Sequence, residues 1–221
     1  MDRVGDPGKK SSQFGMTENN QNSRLEAFCD AVFAIALTLL IIDIRIPATK
    51  EISSAGELWL ALRHMIPAIS AFVLSFTIIF ITWVNHHNSL KLINKSSPGF
   101  IYANALLLLT VVFVPFPTSM MGEYLLTDQL APAAFLYNAT LALQAMAWIF
   151  ISHSAIKKRL TKNAQAASII QRNGKFGYFA FALYSLFSVL SLCFPLSISI
   201  ITAISWAFWL MYGIGVKQEE I

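Results

Sequence analysis

Arg24, Asp30, Trp83, His86, His87 and Asn104 are ionisable or hydrogen-bonding side chains lying in or beside long apolar stretches. The run Arg24-Leu25-Glu26-Ala27-Phe28-Cys29-Asp30 leads into Ala31-Val32-Phe33-Ala34-Ile35-Ala36-Leu37-Thr38-Leu39-Leu40, which reads as a membrane helix. Between Asp30 and Asp43 lie only 12 uncharged residues. Crossing a hydrocarbon core of about 30 Å at about 1.5 Å per residue takes about 20. The helix must therefore carry Asp30 into the membrane. A charge there costs roughly 2.5 to 3.5 kcal/mol on insertion scales unless it faces protein or water, so Asp30 marks a functional or packing site.

A second polar layer, Trp83-Val84-Asn85-His86-His87-Asn88, closes the second apolar stretch at the level of Arg24 and Asp30. An Arg-Asp pair, a histidine and an indole N–H can satisfy one another's donors and acceptors, as burial demands. Two readings follow: a structural clamp, or a pH-sensitive element, since histidine titrates near neutrality. Asn104, near the start of the third stretch, can join either. On the first helix Ile35, Thr38, Leu39 and Ile42 share one stripe, while Ala27, Ala31 and Ala34 form a small-residue face open to close helix approach. Because every face of a membrane helix is apolar, the stripe by itself leaves lipid-facing, core and pore-lining roles open.

Other chemistry is missing from the sequence. It has no Gly-rich phosphate loop, zinc-type His-Glu motif, Cys-x-x-Cys pair or Gly-x-Ser-x-Gly elbow. Only His86 or His87 with His153 could meet across helices as haem ligands. Neither an enzyme nor a resident cofactor or metal is expected. A carbonyl filter of the Thr-Val-Gly-Tyr-Gly type is also lacking.

The elements that must position these residues follow from composition. The 221 residues are 56% hydrophobic and 13% charged, with a mean hydropathy of +0.58, against roughly 45 to 50% and 25% in soluble domains. The chain is an all-α integral membrane protein with six expected spans, at about 27–46, 65–84, 100–122, 131–152, 178–194 and 196–216. Residues 1–23 read as a disordered cytoplasmic tail, within which Met16 is a second candidate start. Residues 24–217 form one six-helix unit and 218–221 a C-terminal tail. Every connection is short except a basic fourth-to-fifth loop. Pro67, Pro115 and Pro117 are expected to kink their helices. Cys29 and Cys193 fall at opposite membrane sides, which excludes a disulfide framework.

Lysine and arginine divide thirteen to three between the two sides, placing both termini in the cytoplasm of a cell-membrane protein by the positive-inside rule. The net charge of +4 is thus a matter of topology and no sign of nucleic-acid binding. Asp43, Glu51, Glu57, Glu123 and Asp128 lean to the outer side, where an acidic vestibule would concentrate cations.

Arg24-x-x-x-Phe28-Cys29-Asp30 and the apolar run after it resemble the signature of the transmembrane protein 175 family, potassium channels of bacteria, archaea and animal lysosomes, whose motif core is Arg-x-x-x-Phe-Ser-Asp. The likeness continues in Trp83 with His86-His87, in Asn104 and in Pro115-Phe116-Pro117-Thr118. A chain of this length is similar to the single-repeat bacterial form. The resemblance implies a homotetramer in the lipid bilayer whose first helices line a central pore. The constriction would fall at Ile35, with Leu39 and Ile42 continuing an apolar lining and Thr38 offering hydroxyls. Arg24, Asp30, Trp83, His86, His87 and Asn104 would form a structural network behind that helix. Selection of potassium through aliphatic side chains would depend on the cost of deforming the ion's hydration shell, and leaves room for some proton permeability. Cys29 departs from the motif serine; a thiol is the weaker hydrogen-bonding partner. The alternative from the residues alone is a proton-coupled secondary transporter with an Asp30 and His86 or His87 relay, although internal repeats are lacking.

Overall fold

The computed structural model describes the backbone of residues 8–42, 44, 45, 48 and 52–219, and the side chains of 22–42, 44, 45, 48, 52–206 and 209. Among these residues the chain forms α1 (Gly8–Leu39), α2 (Ala55–His64), α3 (Ile66–Lys91), α4 (Pro98–Phe113), α5 (Pro115–Tyr124), α6 (Leu130–Lys157), α7 (Ala164–Leu190) and α8 (Pro195–Glu219). Each of the six apolar stretches lies mostly in helix among the described residues. Three of them, α3, the α4–α5 pair and α6, are long and apolar enough to cross a membrane.

Helix starts follow local chemistry. Ser54 caps α2 by accepting from the Glu57 N–H, and the Glu57 carboxylate accepts from the N–H of Ser53, the residue before the cap, at 2.6 Å. Ser97 caps α4 ahead of Pro98, and Asn163 caps α7 through the Ala166 N–H at 2.7 Å. The cap at Asn163 changes the expected layout. Residues 164–177 extend α7 as helix, so Arg172 and Lys175 sit on α7 and the basic connection shrinks to 158–163. An Ala-Gln-Ala-Ala start has high helix propensity whatever its polarity. That connection reverses at Arg159, which has φ 51, and an antiparallel bridge between Ile93 and Thr161 ties it to the α3–α4 link.

The prolines break helices more sharply than a kink. Pro115 and Pro117 have no N–H for the carbonyls of Val111 and Phe113, so the third stretch is two helices joined at Val114, whose N–H bonds the Thr110 and Val111 carbonyls. Pro67 likewise separates α2 from α3 at Met65. Gly122 makes the α5–α3 crossing possible: a Cβ there would stand 2.8 Å from Ala68 Cα.

α1 departs from expectation at both ends. It runs back to Gly8, through the stretch expected to be disordered, because extending an existing helix costs far less than starting one and no proline intervenes. At the other end it stops at Leu39, with residues 40–42 in a turn. Asp43, Ile46, Lys50 and Glu51 lie outside the described residues.

α6 is the central post, packed by α4, α5, α7 and α8, while α1 leans on α3 and α4. Two apolar clusters result. One joins Cys29, Phe33 and Leu40 to Ile79, Phe100, Leu107 and Ile151; the other joins Ile78, Met121, Tyr137, Leu141, Tyr184 and Trp206. Buried polar side chains link the helices where lipid could not solvate them. Ser75 Oγ lies 3.0 Å from Tyr137 Oη and accepts from Thr118 Oγ1 at 2.6 Å. Gln144 Nε2 donates to Thr82 Oγ1, and Thr202 Oγ1 to Asn138 Oδ1.

Candidate functional site

Two features of α1 define the site: an uncovered stripe along one face and a polar layer around its Arg24–Asp30 turn. Cys29, Phe33, Ala36 and Leu40 recur at helical spacing and are buried at 0 to 2% exposure against α3 and α4. Residues two apart on a helix are rotated by about 200°, so Ile35 points away from Phe33. Ile35 is 57% exposed, Leu39 37% and Ile42 69%, and Thr38 is exposed as well. The Thr38 hydroxyl donates to the Ile35 carbonyl at 2.8 Å, which leaves its oxygen lone pairs free to face outward. All four members of the predicted stripe therefore lie on an uncovered side of the chain. The small residues Ala27, Ala31 and Ala34 are also exposed. They do not pack within the chain, where the Phe33 face makes the contact instead.

The polar layer is built by α1, α3 and α4. Trp83 Nε1 donates to Asp30 Oδ1 at 2.8 Å, and the Trp83 ring stacks on His87 with centroids 5.7 Å apart. His87 Nδ1 stands 3.1 Å from Glu26 Oε1, one turn before Asp30 on the same helix. His86 is 1% exposed and enclosed by Phe33, Trp148 and Asn104. Because Asn104 Nδ2 donates to the Phe100 carbonyl, its Oδ1 is the acceptor and His86 Nε2 the donor of their 2.8 Å bond. His86 Nδ1 has no hydrogen-bond partner among the described residues.

The structure brings Asp30, Trp83, His86, His87 and Asn104 into one layer but leaves Arg24 out of it. Arg24 is exposed and forms no ion pair with Asp30 among the described residues. A residue six positions before Asp30 is displaced by about 600° of helical turn, well off the same face. The carboxylate is instead held by an indole N–H. Glu26 is the member not singled out from residue type; its signal was the i, i+4 spacing to Asp30, which puts both carboxylates on one face. Cys29 is fully buried with no described hydrogen bond, so it packs as a small apolar side chain. Cys193 is exposed, and both thiols are free.

A helical membrane bundle whose first helix bears an uncovered stripe with a polar layer behind it is the class that fold and site define. The family described as endosomal/lysosomal potassium channel TMEM175 matches residues 24–115. A potassium channel of Chamaesiphon minutus is 40% identical over 150 residues, 68% of this chain and 69% of the relative. A potassium channel of Streptomyces collinus is 41% identical over 130 residues, 58% and 62% of the two chains. The crystal structure of a lysosomal potassium-selective channel TMEM175 homologue from Chamaesiphon minutus superposes with a TM-score of 0.72 at 33% identity, covering 86% of this chain and 97% of that one. The chain belongs to the TMEM175 family.

Proposed function

We propose that this protein is a potassium channel of the cell membrane, assembled as a homotetramer whose α1 helices surround the conduction path. The observation that carries the reading is the uncovered stripe. A subunit that packs Cys29, Phe33, Ala36 and Leu40 inward leaves Ile35, Thr38, Leu39 and Ile42 exposed on its other side. One such helix cannot enclose a pore, so several copies are required. The relatives named as potassium channels and the fold shared with a potassium-selective channel give the stripe its ion.

In this reading six spans formed by α1, α3, the α4–α5 pair, α6, α7 and α8 occupy residues 24–217, with both termini cytoplasmic. Support comes from α3, which starts after Arg63 and ends at Lys91, on the side of Lys95, Lys157 and Lys158. Ile35 forms the constriction, with Leu39 and Ile42 continuing the apolar lining and Thr38 offering hydroxyls. Aliphatic side chains offer no ligands in place of hydration water, so an ion passes according to how cheaply its shell deforms. Potassium, less tightly hydrated than sodium, is favoured. The layer of Asp30, Trp83, His86, His87 and Asn104 holds α1 against α3 and α4, off the conduction path.

Planar-bilayer recording of purified protein in asymmetric potassium and sodium tests the reading. Unitary currents reversing toward the potassium potential are expected, with Ile35→Ala moving the reversal toward zero. Saturable, substrate-stimulated proton uptake in liposomes without unitary currents would replace the channel with the transporter reading. An Ile35→Ala reversal potential identical to wild type would remove the constriction from Ile35.

A further inference from the structure

Glu26, Asp30 and His87 present more ligand chemistry than a clamp requires. One oxygen of each carboxylate and one ring nitrogen of His87 lie within 4.8 Å of one another, contributed by two turns of α1 and by α3. His87 Nδ1 and Glu26 Oε1 are 3.1 Å apart, close to the spacing of about 3 to 4 Å between neighbouring donors around an ion bound at about 2.0 to 2.2 Å. Yet that nitrogen is shut off from solvent and makes no hydrogen bond despite the short separation. A third atom off the N···O line satisfies both groups, whereas a straight hydrogen bond does not.

We propose that Glu26, Asp30 and His87 form a binding site for a first-row divalent cation of the Zn²⁺ type, which fastens α1 to α3. Two carboxylates supply the charge to balance the ion, and an imidazole nitrogen selects zinc-like ions over potassium, magnesium or calcium, which take oxygen donors. Three protein donors leave a position for water, as in open zinc sites. The side chains of Glu26 and His87 are 33% and 31% exposed, so an ion can enter from the aqueous end.

Trp83 is the positioning residue of this site. Its indole N–H fixes the Asp30 carboxylate through Oδ1, and its ring stacks on His87 at 23° between planes. Orienting partners of this kind set ligand geometry without touching the metal. Regulation of ion flow by the cation rests on reading α1 as the pore helix; binding of the cation does not.

The test is calorimetric titration of Zn²⁺ into the tag-free, chelator-treated full-length protein, repeated with Co²⁺ to record its visible absorption. Wild type is expected to bind one ion per chain and to give a Co²⁺ spectrum. Trp83→Phe, which removes no ligand, should weaken binding by about 10- to 100-fold, and Glu26→Gln and His87→Ala by at least as much. Should His87→Ala fail to fold, the near-isosteric Glu26→Gln decides the point. Wild type without binding heat, or Glu26→Gln with unchanged affinity and spectrum, would overturn the site. The channel reading fails separately: zinc binding without potassium currents leaves the site standing, and potassium currents without zinc binding leave the channel standing.

Discussion

The two faces of α1 are nearly equal in hydrophobicity and opposite in fate. Cys29, Phe33, Ala36 and Leu40 are sealed against α3 and α4, while Ala31, Ile35, Leu39 and Ile42 are left uncovered. In water such a difference would appear as an apolar and a polar face. In lipid there is no such penalty, so shape and polar anchoring decide instead. The packed face carries Phe33, which fills the space beside His86, and adjoins Asp30, whose carboxylate is held by Trp83. The open face carries branched aliphatic side chains with nothing in the chain to fill around them.

Substitutions on the two faces should separate stability from conduction. Phe33→Ala removes a fully buried ring and should cost about 3 to 5 kcal/mol, read as a lower denaturation temperature in detergent, with the potassium-over-sodium ratio of surviving channels unchanged. A changed ratio at full stability would reverse the roles of the faces. Asp30→Ala strips the charged acceptor from the Trp83 indole and should cost about 1.5 to 3 kcal/mol. Asn104→Ala strands His86 Nε2 in an apolar pocket, for about 1 to 3 kcal/mol by the same unfolding assay. At the small end, Arg24→Ala and Ile35→Ala should each stay within about 0.5 kcal/mol of wild type, as exposed positions do. Of these two, only Ile35→Ala should move the reversal potential. A loss with Arg24→Ala as large as that with Asp30→Ala would mean that the arginine finds a partner on a neighbouring copy.

Much of the bundle was legible because spans of about 20 apolar residues have few alternatives in a bilayer. The stripe Ile35, Thr38, Leu39, Ile42 also fell on one side of the chain, as helical spacing requires. What escaped has local causes. Polar stretches 8–23 and 164–177 are helical, because propensity and continuation of a neighbouring helix act regardless of hydropathy. The third stretch splits at Val114, because two prolines two apart remove donors that one kink could spare. Of the residues expected in the polar layer, five stand near one another, and Asp30 meets Trp83 where Arg24 was the expected partner. Arg24 and Asp30 look complementary in type, but helical rotation parts them, and Glu26 takes the place facing His87.

By itself the sequence determined that the chain is a membrane helix bundle, roughly where its apolar helices lie and which polar residues fall within or beside them. Solvation dictates each of these: lipid excludes unpaired backbone, and helical periodicity fixes relative angles along one helix. Only the tertiary structure decided which side of α1 is packed, that Trp83 rather than Arg24 holds Asp30, and that Glu26, Asp30 and His87 converge. Those outcomes depend on the rotation of one helix against another, which side-chain shape sets and periodicity along a single helix leaves free.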